Sequence, residues 1–191
     1  HSSFDADGDD GDNGTGAGAE NRAKANGRGP ERSIAQVDRS WLEHTMSVNL
    51  IGHVMCTQAL LPLLAPRKGR AKEDRFETSG HCAKVINLSA RVGSVGDNRL
   101  GGWYSYRMSK SALNQFTRTL AVETKRHELC TVSMHPGTTI TDLSGPFQKN
   151  VKPDKLFPVW YSVEQMLHVI WTLCPEQSGS FLAYDGSTIE W

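Results

Sequence analysis

Lys84-Val-Ile-Asn-Leu-Ser89, the helical stretch from about Tyr104 to Lys125 or Arg126, and Cys130-Thr-Val-Ser-Met134 stopped by His135-Pro136-Gly137 decide the fold of this chain. The two outer pieces are short apolar runs of β-forming residues, which predicts strands buried on both faces. Between them Ala112, Phe116, Leu120 and Glu123 follow the helical period. A strand, a crossover helix and a second strand imply parallel pairing through a right-handed connection.

Working outward, a longer helical pattern starts near Asp38 or Ser40, either of which can serve as N-cap, and runs to about Leu64. Leu42, Met46, Asn49, Cys56 and Leu60 share one face, Leu50, Val54 and Leu61 cover an adjoining stripe, and Pro62 and Pro66 mark the end. Downstream of Gly137 come a Pro-containing loop (138–158), a helix from about Ser162 to Leu173, and a strand Ser180-Phe-Leu-Ala-Tyr184 closed by Asp185-Gly186. Alternating helices and strands predict an α/β fold, a three-layer αβα sandwich around a parallel sheet.

The chain has 191 residues, a formal net charge of zero and 18 glycines, of which seven lie in the first thirty residues. That leader has Phe4 as its one large apolar side chain, too little to offset the entropy of ordering it. Residues 1–30 are therefore expected to be a disordered low-complexity leader and residues 31–191 the folded part. Balanced charge gives no reason for a nucleic-acid or anionic-membrane partner, and no uninterrupted apolar run suggests a membrane span. Cys56, Cys82, Cys130 and Cys174 form no CxxC pair and no ligand cluster, so four buried thiols are expected, with neither disulfides nor metal.

Three positions stand out chemically. Tyr106 and Lys110 are four apart at a helix start and share a face; an ammonium beside a phenol should lower the tyrosine pKa. Ser89 ends a buried strand, where ligand sites of open α/β sheets gather, and either polarises a carbonyl or bonds its own backbone. Asn49, on an apolar helix face, either makes a structural bond to a neighbouring backbone or holds a water in a polar site.

Together, Val48-Asn49-Leu-Ile-Gly52, Val85-Ile-Asn-Leu-Ser89, Tyr106-Arg-Met-Ser-Lys110 and Pro136-Gly137-Thr-Thr-Ile-Thr141-Asp142 resemble the short-chain dehydrogenase/reductase family. Ser89-Ala-Arg-Val-Gly-Ser94, Asp97-Asn-Arg-Leu-Gly-Gly102 and Tyr184-Asp-Gly-Ser-Thr-Ile-Glu-Trp191 look most like its C-factor-like and sniffer-like carbonyl reductases. The resemblance implies a Rossmann-type sheet and hydride transfer between a carbonyl or alcohol substrate and NAD or NADP, the subgroup leaning to NADP. It implies a catalytic tetrad of Tyr106 as proton donor and acceptor, Lys110, Ser89 and Asn49. Tyr106, Lys110, Pro136, Gly137, Thr139 and Thr141 would line the cofactor, and Trp103, Tyr104 and Phe147, with Trp160, are candidate substrate walls. Cytoplasmic location and pairing of two subunits through the long helices (41–64 and 104–125) follow from the same resemblance.

Two departures accompany it. Ala90 stands three residues before Gly93, where the family's catalytic serine usually is; a twist or bulge would have to re-aim Ser89, and Ser94 is the second candidate. The family's Thr-Gly-x-x-x-Gly-x-Gly turn for the cofactor pyrophosphate does not occur in the sequence; Asn13-Gly-Thr-Gly-Ala-Gly18 follows no apolar strand, and Asp5–Asp12 lacks the ligand pattern of a calcium loop. The expectation is a catalytic half without its adenosine half, with an open sheet edge and little turnover. The alternative is a non-catalytic remnant serving as a protein-interaction module.

Overall fold

Strand-forming runs and helical periods alternate along the chain, and the computed structural model, which describes residues 30–64, 82–127 and 129–191, pairs the strands in parallel. The expected leader falls almost wholly outside the described residues. Strand β1 (Lys84–Leu88) pairs with β2 (Cys130–His135) from Lys84 opposite Cys130 to Leu88 opposite Met134. A two-stranded parallel ladder, β3 (Thr138–Thr139) with β4 (Leu156–Phe157), lies inside what the sequence reads as loop. Strand β5 (Phe181–Ala183) pairs with the end of β2, giving a sheet in the order β1-β2-β5.

Four helices pack around it. Helix α1 (Arg39–Met46) starts at Asp38, whose carboxylate accepts the Trp41 amide at 3.0 Å. It runs through a π-helical turn (Ser47–Ile51), closed by the Gly52 amide on the Ser47 carbonyl, into α2 (Gly52–Leu64), with Pro62 inside its last turn. The sequence pattern shows one unbroken helix here, because one inserted residue leaves composition unchanged. An 18-residue window of the joined helix Arg39–Leu64 has a mean hydropathy of 1.4, so by length and composition the helix is apolar enough to cross a membrane, which corrects the sequence reading that no run has that length. Helix α3 spans Tyr104–Glu123 and α4 Val159–Thr172.

The core divides by sheet face. Cys130, Val132 and Met134 of β2 and Leu182 of β5 pack on Val169 and Leu173, with Ile86, Met166 and Ile170 at the margin. On the other face Asn87, Thr131 and Ser133 meet α3, which buries Ser105, Ser109, Leu113, Thr117, Leu120 and Ala121. That stripe, rather than the expected Ala112, Phe116 and Glu123, is the packed side of α3, because small residues let the helix approach closely.

Three further expectations are corrected. β1 is not buried on both faces: among the described residues it pairs only with β2, and Leu88 is half exposed. Much of the α2 surface is open, with Met55, Leu60 and Leu63 exposed. Of the four thiols only Cys130 is buried; Cys82 is half-buried, while Cys56 and Cys174 are exposed.

Candidate active site

Ligand sites of open parallel sheets lie beyond the carboxyl ends of the strands. Here that edge gathers Ser89 after β1, His135 at the end of β2 with Pro136-Gly137 after it, and the start of α3. The approach to α3 is unusual: Gly101 and Gly102 (both φ +65°) and Trp103 (φ +55°) are all left-handed, Trp103 being the one non-glycine residue so placed among the described residues. Arg107 fastens this turn, donating to the carbonyls of Val92, Gly101 and Gly102 at 3.0–3.2 Å.

Tyr106 and Lys110 share a face of α3 as their spacing predicts, with the Lys110 Nζ 5.8 Å from the Tyr106 ring centre. The ammonium donates to the Leu88 carbonyl at 2.8 Å, so it spans from helix to strand end. Its burial lowers its pKa to about 8. Tyr106 is half-buried, and this burial raises its pKa above the usual tyrosine value. This reverses the sequence expectation of a lowered phenol pKa: desolvation disfavours the phenolate, and the ammonium is engaged with a carbonyl.

Asn49 lies in the π-helical turn and donates to the Ser109 hydroxyl at 3.1 Å; Ser109 in turn donates to the Tyr106 carbonyl at 2.8 Å. The bond recorded for Asn49 goes to a side chain, the Ser109 hydroxyl, rather than to the neighbouring backbone that the sequence suggests. One helical turn on, His53 Nδ1 meets the Asn87 side-chain oxygen Oδ1 at 3.2 Å, and the Asn87 Nδ2 donates to the Thr117 hydroxyl at 3.0 Å. The Ser133 hydroxyl also donates to Thr117, at 2.9 Å.

Ser89 is buried, and its hydroxyl donates to the Asn114 Oδ1 at 2.7 Å while its amide donates to the Met134 carbonyl at 2.8 Å. Asn114 is eight residues along α3 from Tyr106, about 12 Å at the helical rise. The ladder runs in register through Leu88, with no bulge to re-aim the hydroxyl. Ala90 is buried and extended, and Ser94 accepts the Asp97 amide at 3.0 Å. Gly93 is required by space: a Cβ there would lie 2.7 Å from the Lys110 Cβ.

After β2, the Pro136 carbonyl accepts the Ser162 hydroxyl at 2.6 Å. Gly137 takes φ +79°, and a Cβ would meet the Phe157 ring at 2.9 Å. The Thr139 Oγ1 is buried without a hydrogen-bond partner, as is the His135 Nδ1, while Thr141 is exposed. Burial and the Arg91 charge lower the His135 pKa to about 4. Of the candidate walls, Trp103 sits edge-on to Phe147 at 4.8 Å and 6.0 Å from the Tyr106 ring. Tyr104 is half-buried with no ring contact to that pair, and Trp160 is exposed and packs edge-on against Tyr161.

Ser109, Asn114, Thr117 and His53 escape the sequence reading. Their signal is present: Ser105, Ser109 and Thr117 recur at multiples of four, a small polar stripe that an apolar-periodicity search passes over.

A family model described as short chain dehydrogenase matches residues 24–152. C-signal of Myxococcus xanthus is 35% identical over 159 residues, covering 83% of this chain and 84% of that protein. The structure of the carbonyl reductase Sniffer of D. melanogaster superposes with a TM-score of 0.72 at 31% identity, covering 92% of this chain and 71% of that one. The NADPH-bound carbonyl reductase from chicken fatty liver gives 0.70 at 30% identity, with 92% and 70% covered. Seven other curated relatives are longer, and the chain spans 55% to 66% of their length. A parallel sheet with tyrosine and lysine one helical turn apart at its carboxyl edge, and a family match over most of the described chain, lead to one conclusion: this chain belongs to the short-chain dehydrogenase family of oxidoreductases.

Proposed function

We propose that the chain carries the proton-transfer and nicotinamide-facing part of an NAD(P)-dependent oxidoreductase that interconverts a small carbonyl compound and its alcohol. The observation that carries this reading is Tyr106, half-buried at the strand ends, with Lys110 reaching past it to the Leu88 carbonyl. Tyr106, its pKa raised by burial, is protonated at neutral pH and suited to give its proton to a developing alkoxide. Lys110 ties the second turn of α3 to the end of β1, and Asn49 steadies the first turn through Ser109 and the Tyr106 carbonyl.

The buried, unpartnered Thr139 Oγ1 and the close backbone at Gly137 fit the nicotinamide end of a cofactor. When bound, that group supplies the hydride. Tyr106, Lys110, Pro136, Gly137, Thr139 and Thr141 would hold it, with NADP preferred on the likeness to the NADPH-bound relative. Trp103 and Phe147, with Tyr104 beside them, would wall the substrate. Ser89 enters this scheme as a carbonyl donor only if its hydroxyl leaves Asn114, so Ala90→Ser is expected to raise turnover.

NADPH-dependent carbonyl reduction tests the reading. Tyr106→Phe should lower turnover by roughly 10²–10⁴-fold; unchanged turnover would overturn it. The sequence contains no glycine-rich pyrophosphate turn, so reduced nicotinamide mononucleotide should bind this chain about as well as NADPH. Much tighter NADPH binding would contradict that.

The exposed apolar residues Met55, Leu60 and Leu63 on α2 and Val122 on α3 favour a second reading, in which the chain is a pairing module for another copy. Leu63→Glu should then shift a dimer to monomer in light scattering; an unchanged mass would remove that reading.

A further inference from the structure

Glu31 is a buried carboxylate 74 residues from the groups it touches. Its Oε1 accepts both the amide of Ser105, at 3.3 Å, and the Ser105 hydroxyl, while its backbone carbonyl accepts the Trp103 amide at 2.5 Å. Helix α3 has no side-chain cap of its own, since Trp103 stands at the cap position in a left-handed conformation. The first amides of a helix have no internal partner, and a carboxylate there is also favoured by the helix dipole. Glu31 therefore meets from a distance the need that a local Ser or Asp meets at the start of α1.

The neighbouring backbone is shaped for this contact. Gly102 has φ +65°, and a Cβ on it would come within 3.1 Å of the Glu31 carbonyl. Arg107 closes the opposite side of the same turn through the Val92, Gly101 and Gly102 carbonyls. Tyr106 lies between Ser105 and Arg107, with Trp103 against its ring. The turn that carries Tyr106 is thus fastened by the Glu31 carboxylate on one side and the Arg107 guanidinium on the other.

We propose that Glu31 is a positioning residue that caps α3 from outside and fixes the orientation of Tyr106. The proposal rests on the reading of Tyr106 as the proton-transfer residue, but its test does not need turnover. In the 191-residue chain, amide hydrogen exchange at Ser105 should rise roughly two- to thirtyfold in Glu31→Ala, the span for loss of a helix cap, while Trp103, whose partner is the Glu31 main-chain carbonyl, keeps its bond. Exchange at Val169 in α4 should stay as it was. The Tyr106 ring resonance, assigned by its disappearance in Tyr106→Phe, should move in Glu31→Ala and return in Glu31→Gln, which keeps the acceptor. Ser105→Ala removes one donor and should give a smaller change of the same kind, and serves if Glu31→Ala does not fold. Unchanged exchange at Ser105, an equal rise throughout the protein, or a Tyr106 resonance that ignores Glu31 would overturn the proposal. Failure of the catalytic reading looks different: Tyr106→Phe would keep turnover while the Glu31 effects persist.

Discussion

The two faces of β2 are equally dry and chemically opposite. Cys130, Val132 and Met134 point toward α4 into an apolar cluster, whereas Thr131 and Ser133 point toward α3 into hydroxyls and amides. Hydrophobic burial is non-directional, so the α4 side contributes stability without fixing how its partners are turned. Hydrogen bonds are directional and costly to leave unmade. The α3 side therefore sets orientation: His53, Asn87, Thr117 and Ser133 form one chain of contacts through α2, β1, α3 and β2. The candidate site lies at the end of the polar face.

Substitutions can break this contrast, and the largest effect belongs to the apolar face. Met134→Ala should cost about 2–5 kcal/mol, read from urea denaturation, with the Tyr106 environment unchanged in spectra. Asn87→Ala leaves His53 without this partner and removes one of the bonds to Thr117, and should cost about 1–3 kcal/mol, while also disturbing the α3 resonances. A reversed pattern, with Met134→Ala moving the site and Asn87→Ala leaving it untouched, would undo the division of labour.

His135 sharpens the comparison through pH. Its pKa falls from 6.5 to about 4 on folding because burial and Arg91 disfavour the imidazolium. Between those values the unfolded chain binds the proton more readily, so stability rises with pH and is lost as the solution is acidified from about 6.5 toward 4. His135→Asn should flatten that part of the stability profile, measured as denaturant midpoints at several pH values. Smallest of all is Thr131→Val. The Thr131 Oγ1 is buried without a partner, so its removal should leave stability equal or raise it by up to about 1 kcal/mol; a clear loss would mean that the hydroxyl is satisfied.

What could be read in the sequence follows the same division. The apolar runs of β1, β2 and β5 and the Tyr106 and Lys110 spacing are local patterns, and they yield the alternating fold, the parallel pairing and the shared helix face. The polar face depends on partners far apart in sequence, such as Ser89 with Asn114 or Asn49 with Ser109. No local pattern encodes which way a hydroxyl turns, so the aim of Ser89 was open until α3 was in place. The tyrosine pKa was misjudged for a related reason: spacing shows the nearby ammonium but not the burial of both groups. β1 reads as fully buried because an apolar run looks the same at the centre and at the border of a sheet.

The π-helical turn at Ser47–Ile51 acts as a phase shifter. One residue beyond the regular repeat rotates everything after it by about 100° relative to the helix before it. Asn49 and His53 thereby come round to face α3 and β1, and the apolar stripe of α1 does not continue as the apolar stripe of α2. Deleting a single residue between 47 and 51 would restore a regular helix and carry His53 away from Asn87, so a change too small to alter composition would swing an entire face of the molecule.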